Sequence, residues 1–209
     1  MDGVRVGVAL VGGAIVGAWI AWWISRGAYR RGVDDRGQPV RTFWLAPAVA
    51  VACAWVTWRL GADPWPVLLL WLPLVPLLAS LAAVDLDERR LPDRILIPAA
   101  AWTMACIGLL GIQQHSLTRL LAPAVAALLC GTTFWVLHLA SRGALGFGDV
   151  KLAAIAGAAV AAVAWQSLVW ALLGACALGL VWAAVTRRRE IAFGPWLALG
   201  AVVAVGLPH

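Results

Sequence analysis

Two aspartates stand out because each borders a long apolar run. Asp85 ends the run WPVLLLWLPLVPLLASLAAV, and Asp149 opens the run VKLAAIAGAAVAAVA. An ionisable group at the depth of a membrane is costly, so both residues are candidates for chemistry. Two carboxyl groups held close together cannot both ionise, and one of them keeps its proton. The ionised group can then activate water while the protonated group acts as an acid, which hydrolyses an amide without a metal.

Each aspartate also has a simpler interpretation. Asp85 could be a solvated residue at the end of a helix, and Asp149 could cap a helix by accepting backbone N–H bonds. Gly146 and Gly148 count against the second interpretation, because a plain cap needs neither glycine. Glycine allows backbone conformations that other residues avoid, and it lets another chain approach closely. The GFGD stretch therefore predicts an unusual or crowded backbone beside Asp149.

The composition places these aspartates in a membrane protein. The chain has 209 residues, of which 63% are hydrophobic and 12% are charged, and its mean hydropathy is +0.89. A soluble domain needs a polar shell that this composition does not provide. Eight apolar segments are candidates to cross a bilayer, which takes roughly 17 to 25 residues. They cover 4–25, 43–61, 66–84, 94–113, 118–140, 150–164, 167–186 and 190–207.

The predicted fold is therefore an all-α, polytopic membrane helix bundle of about eight transmembrane helices, forming a single domain over 1–209. The first apolar segment ends in AWWISRG, without the small-residue pattern of a cleavage site. It is also longer than the apolar part of a typical secretion signal, and more spans follow it. We therefore expect it to be a retained helix.

The orientation of the bundle follows from the positions of Lys and Arg. With the N-terminus outside, thirteen of the sixteen basic residues fall in inward loops, which is the bias that membrane proteins show. They are Arg26, Arg30, Arg31, Arg36, Arg41, Arg89, Arg90, Arg94, Arg142, Lys151, Arg187, Arg188 and Arg189. The basic loops and both aspartates are therefore predicted at the cytoplasmic face. This arrangement also explains the net charge of +6 without a nucleic-acid partner.

The cysteines give no sign of a metal site or a disulfide framework. All four lie inside predicted spans, at spacings that fit neither a paired zinc motif nor a set of disulfides. They are Cys53, Cys106, Cys130 and Cys176. We expect them to be small packing residues, and we predict no metal and no cofactor.

Three motifs, in order along the chain, resemble the type IV prepilin peptidases, which are membrane aspartic proteases of the GxGD class. The first is Asp85, six residues, Pro92, an aspartate and a new apolar segment. The second is GFGDVKL at 146–152. The third is IAFGPWLALGA at 191–201, which is similar to that family's PFGPFLALG segment. The resemblance covers about 78–201, and the layout of eight spans extends it over the whole chain.

The resemblance implies an endopeptidase of the bacterial inner membrane. Its substrates would be type IV prepilin or pseudopilin precursors, which lose a short basic leader at the cytoplasmic face. Asp85 and Asp149 match the family's catalytic aspartates. Four further residues of the motifs are expected to bind substrate or to shape the site. They are Gly146, Gly148, Lys151 and Pro92.

Three acids follow Asp85 closely in the sequence. They are Asp87, Glu88 and Asp93. Asp87 is a rival for the catalytic role, but it lies two residues too close to Pro92 for the motif. On a continuing helix it would also point roughly 200° away from Asp85. The three acids are expected to form an acidic mouth for the basic leader, and the alternative is that they only balance the arginines between positions 89 and 94.

One feature departs from the family's pattern. Many members carry a cytoplasmic insertion with two pairs of cysteines between the first two spans, and here the loop at 25–43 contains no cysteine. The chain therefore resembles a short form, and the family's second activity, methylation of the new amino terminus, is doubtful. A different class of function is a small transporter or channel, in which Asp85 and Asp149 would bind an ion or relay protons.

Overall fold

The structure, a computed structural model, describes residues 2–27, 42–88, 90–141, 145–186 and 192–207. Within these ranges the chain forms eight α-helices and no β-strand. The helices are α1 (Asp2–Ser25), α2 (Leu45–Leu60), α3 (Trp65–Glu88), α4 (Asp93–Gln113), α5 (Thr118–Ala140), α6 (Phe147–Ala161), α7 (Ser167–Thr186) and α8 (Gly194–Val205). The predicted all-α class and the number of helices are confirmed.

The helices that carry the aspartates differ from the predicted bounds, and so does α8, which begins at Gly194, four residues after the predicted start at 190. Helix α3 continues to Glu88, four residues past the predicted end at 84, and it stops before Pro92, which disfavours helical backbone at Leu91. Helix α6 begins at Phe147, three residues before the predicted start at 150, because Gly146 has the extended backbone that precedes a helix. Both aspartates therefore lie inside helices and not beyond their ends.

Among the described residues, four helices are long and apolar enough to cross a membrane: α1, α3, α4 and α5. Helices α2 and α8 are apolar but shorter, and so is the stretch Ser167–Trp182 of α7. The crossing of the membrane by all eight helices stays a prediction. Many large apolar side chains, such as Val4, Met104 and Leu128, are exposed on the outside of the bundle, as a surface in contact with lipid requires.

Helices α1 and α2 pack closely because α1 carries two glycines, Gly13 and Gly17, on one face. A Cβ atom on Gly13 would lie 2.9 Å from Cα of Ala50, and one on Gly17 would lie 2.8 Å from Cα of Ala46. The four-residue spacing of these glycines is the GxxxG pattern that lets two membrane helices approach to backbone contact. Position 17 thus fixes α1 against the start of α2.

Helix α3 occupies the middle of the bundle and contacts α1, α2, α4 and α8. It contains Pro73, which has no N–H to donate to the carbonyl oxygen of Leu69. The indole N–H of Trp102 in α4 donates to that carbonyl oxygen instead, at 3.1 Å. Helix α8 contacts both α3 and α6, so it links the two helices that carry the aspartates.

The basic loops on which the orientation depends are mostly not described by the structure. The predicted inward residues outside the described ranges are Arg30, Arg31, Arg36, Arg41, Arg89, Arg142, Arg187, Arg188 and Arg189. Most of the cysteine-free loop at 25–43 also lies outside these ranges. The location of the N-terminus outside the membrane stays a prediction from the sequence.

Candidate active site

Asp85 is held by the first residue of α8. Its side chain lies in the last turn of α3 and is only 4% exposed. The backbone N–H of Gly194 donates to its Oδ2 atom at 2.9 Å. The N-terminus of a helix carries partial positive charge, which favours a carboxylate at this place. The interpretation of Asp85 as a solvated residue at a helix end is therefore wrong.

Asp149 is buried in the first turn of α6, with 7% of its surface exposed. It is not the capping residue, because Gly146 occupies that position and its backbone carbonyl accepts the N–H of Asp149 at 3.1 Å. The carboxyl group reaches back towards the backbone N–H of Gly146. Its Oδ1 atom is buried and has no hydrogen-bond partner among the described residues. One oxygen of Asp149 is therefore available to a substrate or to water.

The fold brings the two carboxyl groups together, although 64 positions separate them in the sequence. Asp85 and Asp149 lie close enough for their charges to interact. The two helices that carry them, α3 and α6, both contact α8. Two neighbouring carboxyl groups in a buried place share a proton, so one is a base while the other is an acid. This arrangement can activate water against an amide and protonate the leaving group.

The two glycines of the GFGD stretch have different surroundings. Gly148 faces the segment that joins α3 to α4, and a Cβ atom there would lie 2.6 Å from Cβ of Leu91. A Cβ atom on Gly146 would lie 3.3 Å from Oδ2 of Asp149. Gly146 has φ of −65°, and Gly148 lies within α6, so neither needs a conformation closed to other residues. Close approach, not an unusual backbone, explains glycine at position 148.

Pro92 and Lys151 shape the same region. Pro92 precedes α4, and its carbonyl oxygen accepts the N–H groups of Ile95 and Leu96 at 3.0 and 3.2 Å. The Nζ atom of Lys151 lies 2.6 Å from Oδ1 of Asp93, and both side chains are partly exposed. This ion pair joins the first turns of α4 and α6.

The three acids near Asp85 therefore differ in their surroundings. The charge of Asp93 is offset by Lys151, a partner that the sequence did not suggest. Asp87 is half-buried and Glu88 is exposed, both in the last turn of α3. Arg89 lies outside the described residues. The acidic mouth stays a prediction, and it now depends mainly on Asp87 and Glu88.

Two contacts at the site were not predicted. Gly194 belongs to the third motif, but the sequence analysis assigned it no role. Its position between Phe193 and Pro195, at the start of an apolar helix, was the feature of the sequence that could have pointed to it. His138 in α5 has its Nδ1 atom 2.5 Å from the carbonyl oxygen of Leu145. Its ring also contacts Phe147 at a centroid distance of 5.9 Å. No pattern in the sequence pointed to His138.

A large apolar groove on α3 lies away from the carboxyl groups. It has a volume of about 600 Å³ and is bounded by α1, with Pro73, Pro76 and Ser80 along its α3 side. Asp85 comes five residues after Ser80, which is about 140° around the helix axis. The groove therefore faces the opposite side of α3 and is not part of the aspartate pair.

The described residues contain no group of three His, Cys, Asp or Glu side chains that could hold a metal ion. The four cysteines are not joined in disulfides. Three of them, Cys53, Cys106 and Cys130, are buried among apolar residues, which supports the packing role that was predicted for them. A mechanism without metal stays a prediction.

Comparison with known proteins identifies the family. Residues 72–184 match the type IV leader peptidase family. The chain belongs to this family. The matched stretch contains both Asp85 and Asp149 and ends before Gly194. The resemblance that the three motifs indicated is thereby confirmed.

Curated relatives carry the name prepilin leader peptidase/N-methyltransferase. The chain is 33% identical to one from Pseudomonas putida, over 76% of this chain and 57% of that protein. It is 33% identical to one from Escherichia coli (strain K12), over 61% of this chain and 58% of that protein. It is 31% identical to one from Pectobacterium carotovorum subsp. carotovorum, over 74% and 55%. The chain thus spans a little over half the length of these relatives, and no solved structure matches it.

Proposed function

We propose that this chain is a membrane aspartic endopeptidase that removes the short basic leader from type IV prepilin or pseudopilin precursors. The observation that carries the proposal is the meeting of two buried carboxyl groups, Asp85 and Asp149, in a chain of the type IV leader peptidase family. The names of the curated relatives support the same substrate class. The family match favours this function over a transporter or channel, and no feature of the site favours the latter.

The chemistry needs only the pair and a water molecule. One carboxylate removes a proton from water as the water oxygen attacks the carbonyl carbon of the scissile amide. The other carboxyl group protonates the amide, and the C–N bond then breaks. The unpartnered Oδ1 atom of Asp149 supports this use of the site, because a buried acceptor without a partner is otherwise costly.

The proposed location is the cytoplasmic face of the bacterial inner membrane, with the helices in the lipid bilayer. The distribution of basic residues supports this orientation. The acids at the end of α3, Asp87 and Glu88, would attract the basic leader electrostatically. The apolar segment that follows the leader would remain in the bilayer while the bond at the membrane face is cut.

The test is cleavage of a purified prepilin-like precursor by the purified protein in detergent, with the masses of both fragments determined. Asp85→Asn and Asp149→Asn should each lower kcat/KM by about 10²–10⁴-fold, because each removes an acid–base group. Asp87→Asn, on the same helix turn, removes an acid that is proposed to attract the leader but no acid–base group, so it should keep most of kcat and raise KM. All variants should elute as the wild type does in size-exclusion chromatography. Cleavage at wild-type rates by either of the first two variants would refute the assignment.

A further inference from the structure

The two carboxyl groups of the pair have unequal surroundings. Asp85 accepts a hydrogen bond from the backbone N–H of Gly194, the first residue of α8, at 2.9 Å. Asp149 has the backbone N–H of Gly146 near its carboxyl group, but its Oδ1 atom is buried without a partner among the described residues. A hydrogen bond from a neutral N–H group stabilises a carboxylate more than a carboxylic acid, whereas burial without a partner disfavours the charge. The negative charge of the pair is therefore better accommodated on Asp85.

We propose that the N-terminus of α8 determines which aspartate is the general base and which is the general acid. Gly194 is a positioning residue that holds Asp85 in the ionised form, so Asp85 is the general base. Asp149 carries the shared proton and is the general acid. This inference rests on the proposed peptidase function and adds the role of each aspartate to it.

The backbone of α8 directs one donor at Asp85. Pro195 has no N–H group. The N–H groups of Trp196 and Leu197 both donate to the carbonyl oxygen of Phe193, at 3.1 and 3.2 Å. Of the first four residues of α8, only Gly194 has an N–H that points to the carboxyl group. The positive end of the α8 dipole therefore acts on Asp85 through the N–H of Gly194.

Among the described residues of α3, α6 and α8, Lys151 is the only basic side chain. Helix α8 has no ionisable side chain. On α6 the charged groups near the site are Asp149 itself and Lys151, and Lys151 is paired with Asp93 of α4. On α3, Asp87 lies about 200° around the helix from Asp85, and the exposed Glu88 lies about 60° from it. Both aspartates lie near the N-terminus of a helix, and they differ in that Asp85 accepts the N–H of Gly194 whereas Oδ1 of Asp149 has no partner among the described residues.

Glycine is required at position 194 for space. A Cβ atom there would lie 2.8 Å from Oδ2 of Asp85 and 3.2 Å from its Cγ. Carboxyl oxygen and methyl carbon do not approach so closely, so any other residue would push the carboxyl group away from the N–H. Substitution by alanine therefore tests the hydrogen bond directly.

The proposed steps conserve protons and charge. The Asp85 carboxylate takes a proton from water, and the water oxygen bonds to the carbonyl carbon as the π electrons move to the carbonyl oxygen. Asp149 gives its proton to the amide nitrogen, the C–N bond breaks, and the amine leaves with the bonding electrons. The proton on Asp85 then returns to Asp149, which restores the starting state.

The experiment is the pH profile of kcat/KM for precursor cleavage by the full chain. In Gly194→Ala the acid limb of the profile, which reports protonation of the base, should move to higher pH by about one unit, because a hydrogen bond to a charged group is lost. Gly200→Ala is the matched control on the same helix. Its Cβ atom would lie 2.5 Å from the carbonyl oxygen of Ala171, which faces α7 and not the carboxyl groups. The control should lose thermal stability but keep the acid limb in place.

A second variant covers the case in which Gly194→Ala does not fold. Semisynthesis with glycolic acid at position 194 replaces the N–H by an ester oxygen and adds no side chain, and it should shift the acid limb in the same direction. The inference would be overturned if the acid limb does not move in either folded variant of position 194, or if it moves equally in Gly200→Ala. The proposed function would still stand in that case, provided that the wild type cleaves the precursor. Failure of the wild type to cut any precursor would instead refute the proposed function.

Discussion

Replacing Gly148 by alanine should separate the two aspartates. The new Cβ atom would lie 2.6 Å from Cβ of Leu91, and carbon atoms in contact are normally about 3.5–4.0 Å apart. The first turn of α6 must therefore move from the segment before α4 by about 1 Å. Overpacking of this kind costs about 1–3 kcal/mol of stability, and a misplacement of about 1 Å at a catalytic group can cost about 100-fold in rate.

The assay is cleavage of a prepilin-like precursor, with thermal unfolding followed in parallel. Double variants that combine Gly148→Ala with a change at Leu91 test which atom causes the clash. The closest atom is Cβ of Leu91, and its Cγ and Cδ1 atoms lie at 3.3 Å. Leu91→Ala keeps Cβ and should rescue Gly148→Ala only slightly. Leu91→Gly removes Cβ and should rescue it further. Gly108→Ala in α4 is the control, since a Cβ atom there would have no atom within 4 Å, and it should keep full activity.

Two results would refute this reasoning. If Gly148→Ala cleaves at the wild-type rate with unchanged stability, the contact between α6 and the α3–α4 segment does not control the site. If Leu91→Ala and Leu91→Gly rescue the variant equally, the clash involves the outer side chain and not the backbone approach. Loss of activity in Gly108→Ala would point to a general sensitivity of the bundle to added methyl groups.

Three other predictions concern the ion pair, the topology and the chemistry of the product. Lys151→Met or Asp93→Asn should lower the free energy of unfolding by less than about 1 kcal/mol, because the ion pair is partly exposed. Exchanging the two charged residues should recover this loss. A larger loss that the exchange does not recover would contradict the prediction. For the topology, a single cysteine is placed at Gly32 or at Ala62 in a variant without the native cysteines, and intact cells are treated with an impermeant thiol reagent. The cysteine at position 32 should be shielded and the one at position 62 labelled. The opposite pattern would show that the predicted orientation is inverted. Cleavage should resist chelators, and the mature product should leave with an unmodified amino terminus; a product heavier by one methyl group, formed with added S-adenosylmethionine, would disprove the last point.

The sequence by itself determined the class of fold and indicated the two aspartates as the candidate pair. Apolar segments separated by polar loops give eight helices in any packing, since a chain of this composition must satisfy its backbone hydrogen bonds locally in lipid. The motifs around Asp85 and Asp149 were sufficient to indicate the family, which the match over 72–184 confirms. The helix ends at these residues were less well predicted, because hydropathy falls at the first charged residue while backbone hydrogen bonding continues past it.

Only the tertiary structure decided which groups touch the aspartates. The hydrogen bond from Gly194 to Asp85 joins residues 109 positions apart, and the ion pair of Lys151 with Asp93 joins residues 58 apart. The contact of Gly148 with Leu91 likewise depends on how α6 lies against the start of α4. Sequence patterns report the local backbone and the burial of each segment, whereas these contacts depend on the angles and distances at which separate helices pack. The same limit explains why the sequence could indicate the pair but could not show that the N–H of Gly194 donates to Asp85, or that Oδ1 of Asp149 has no partner among the described residues.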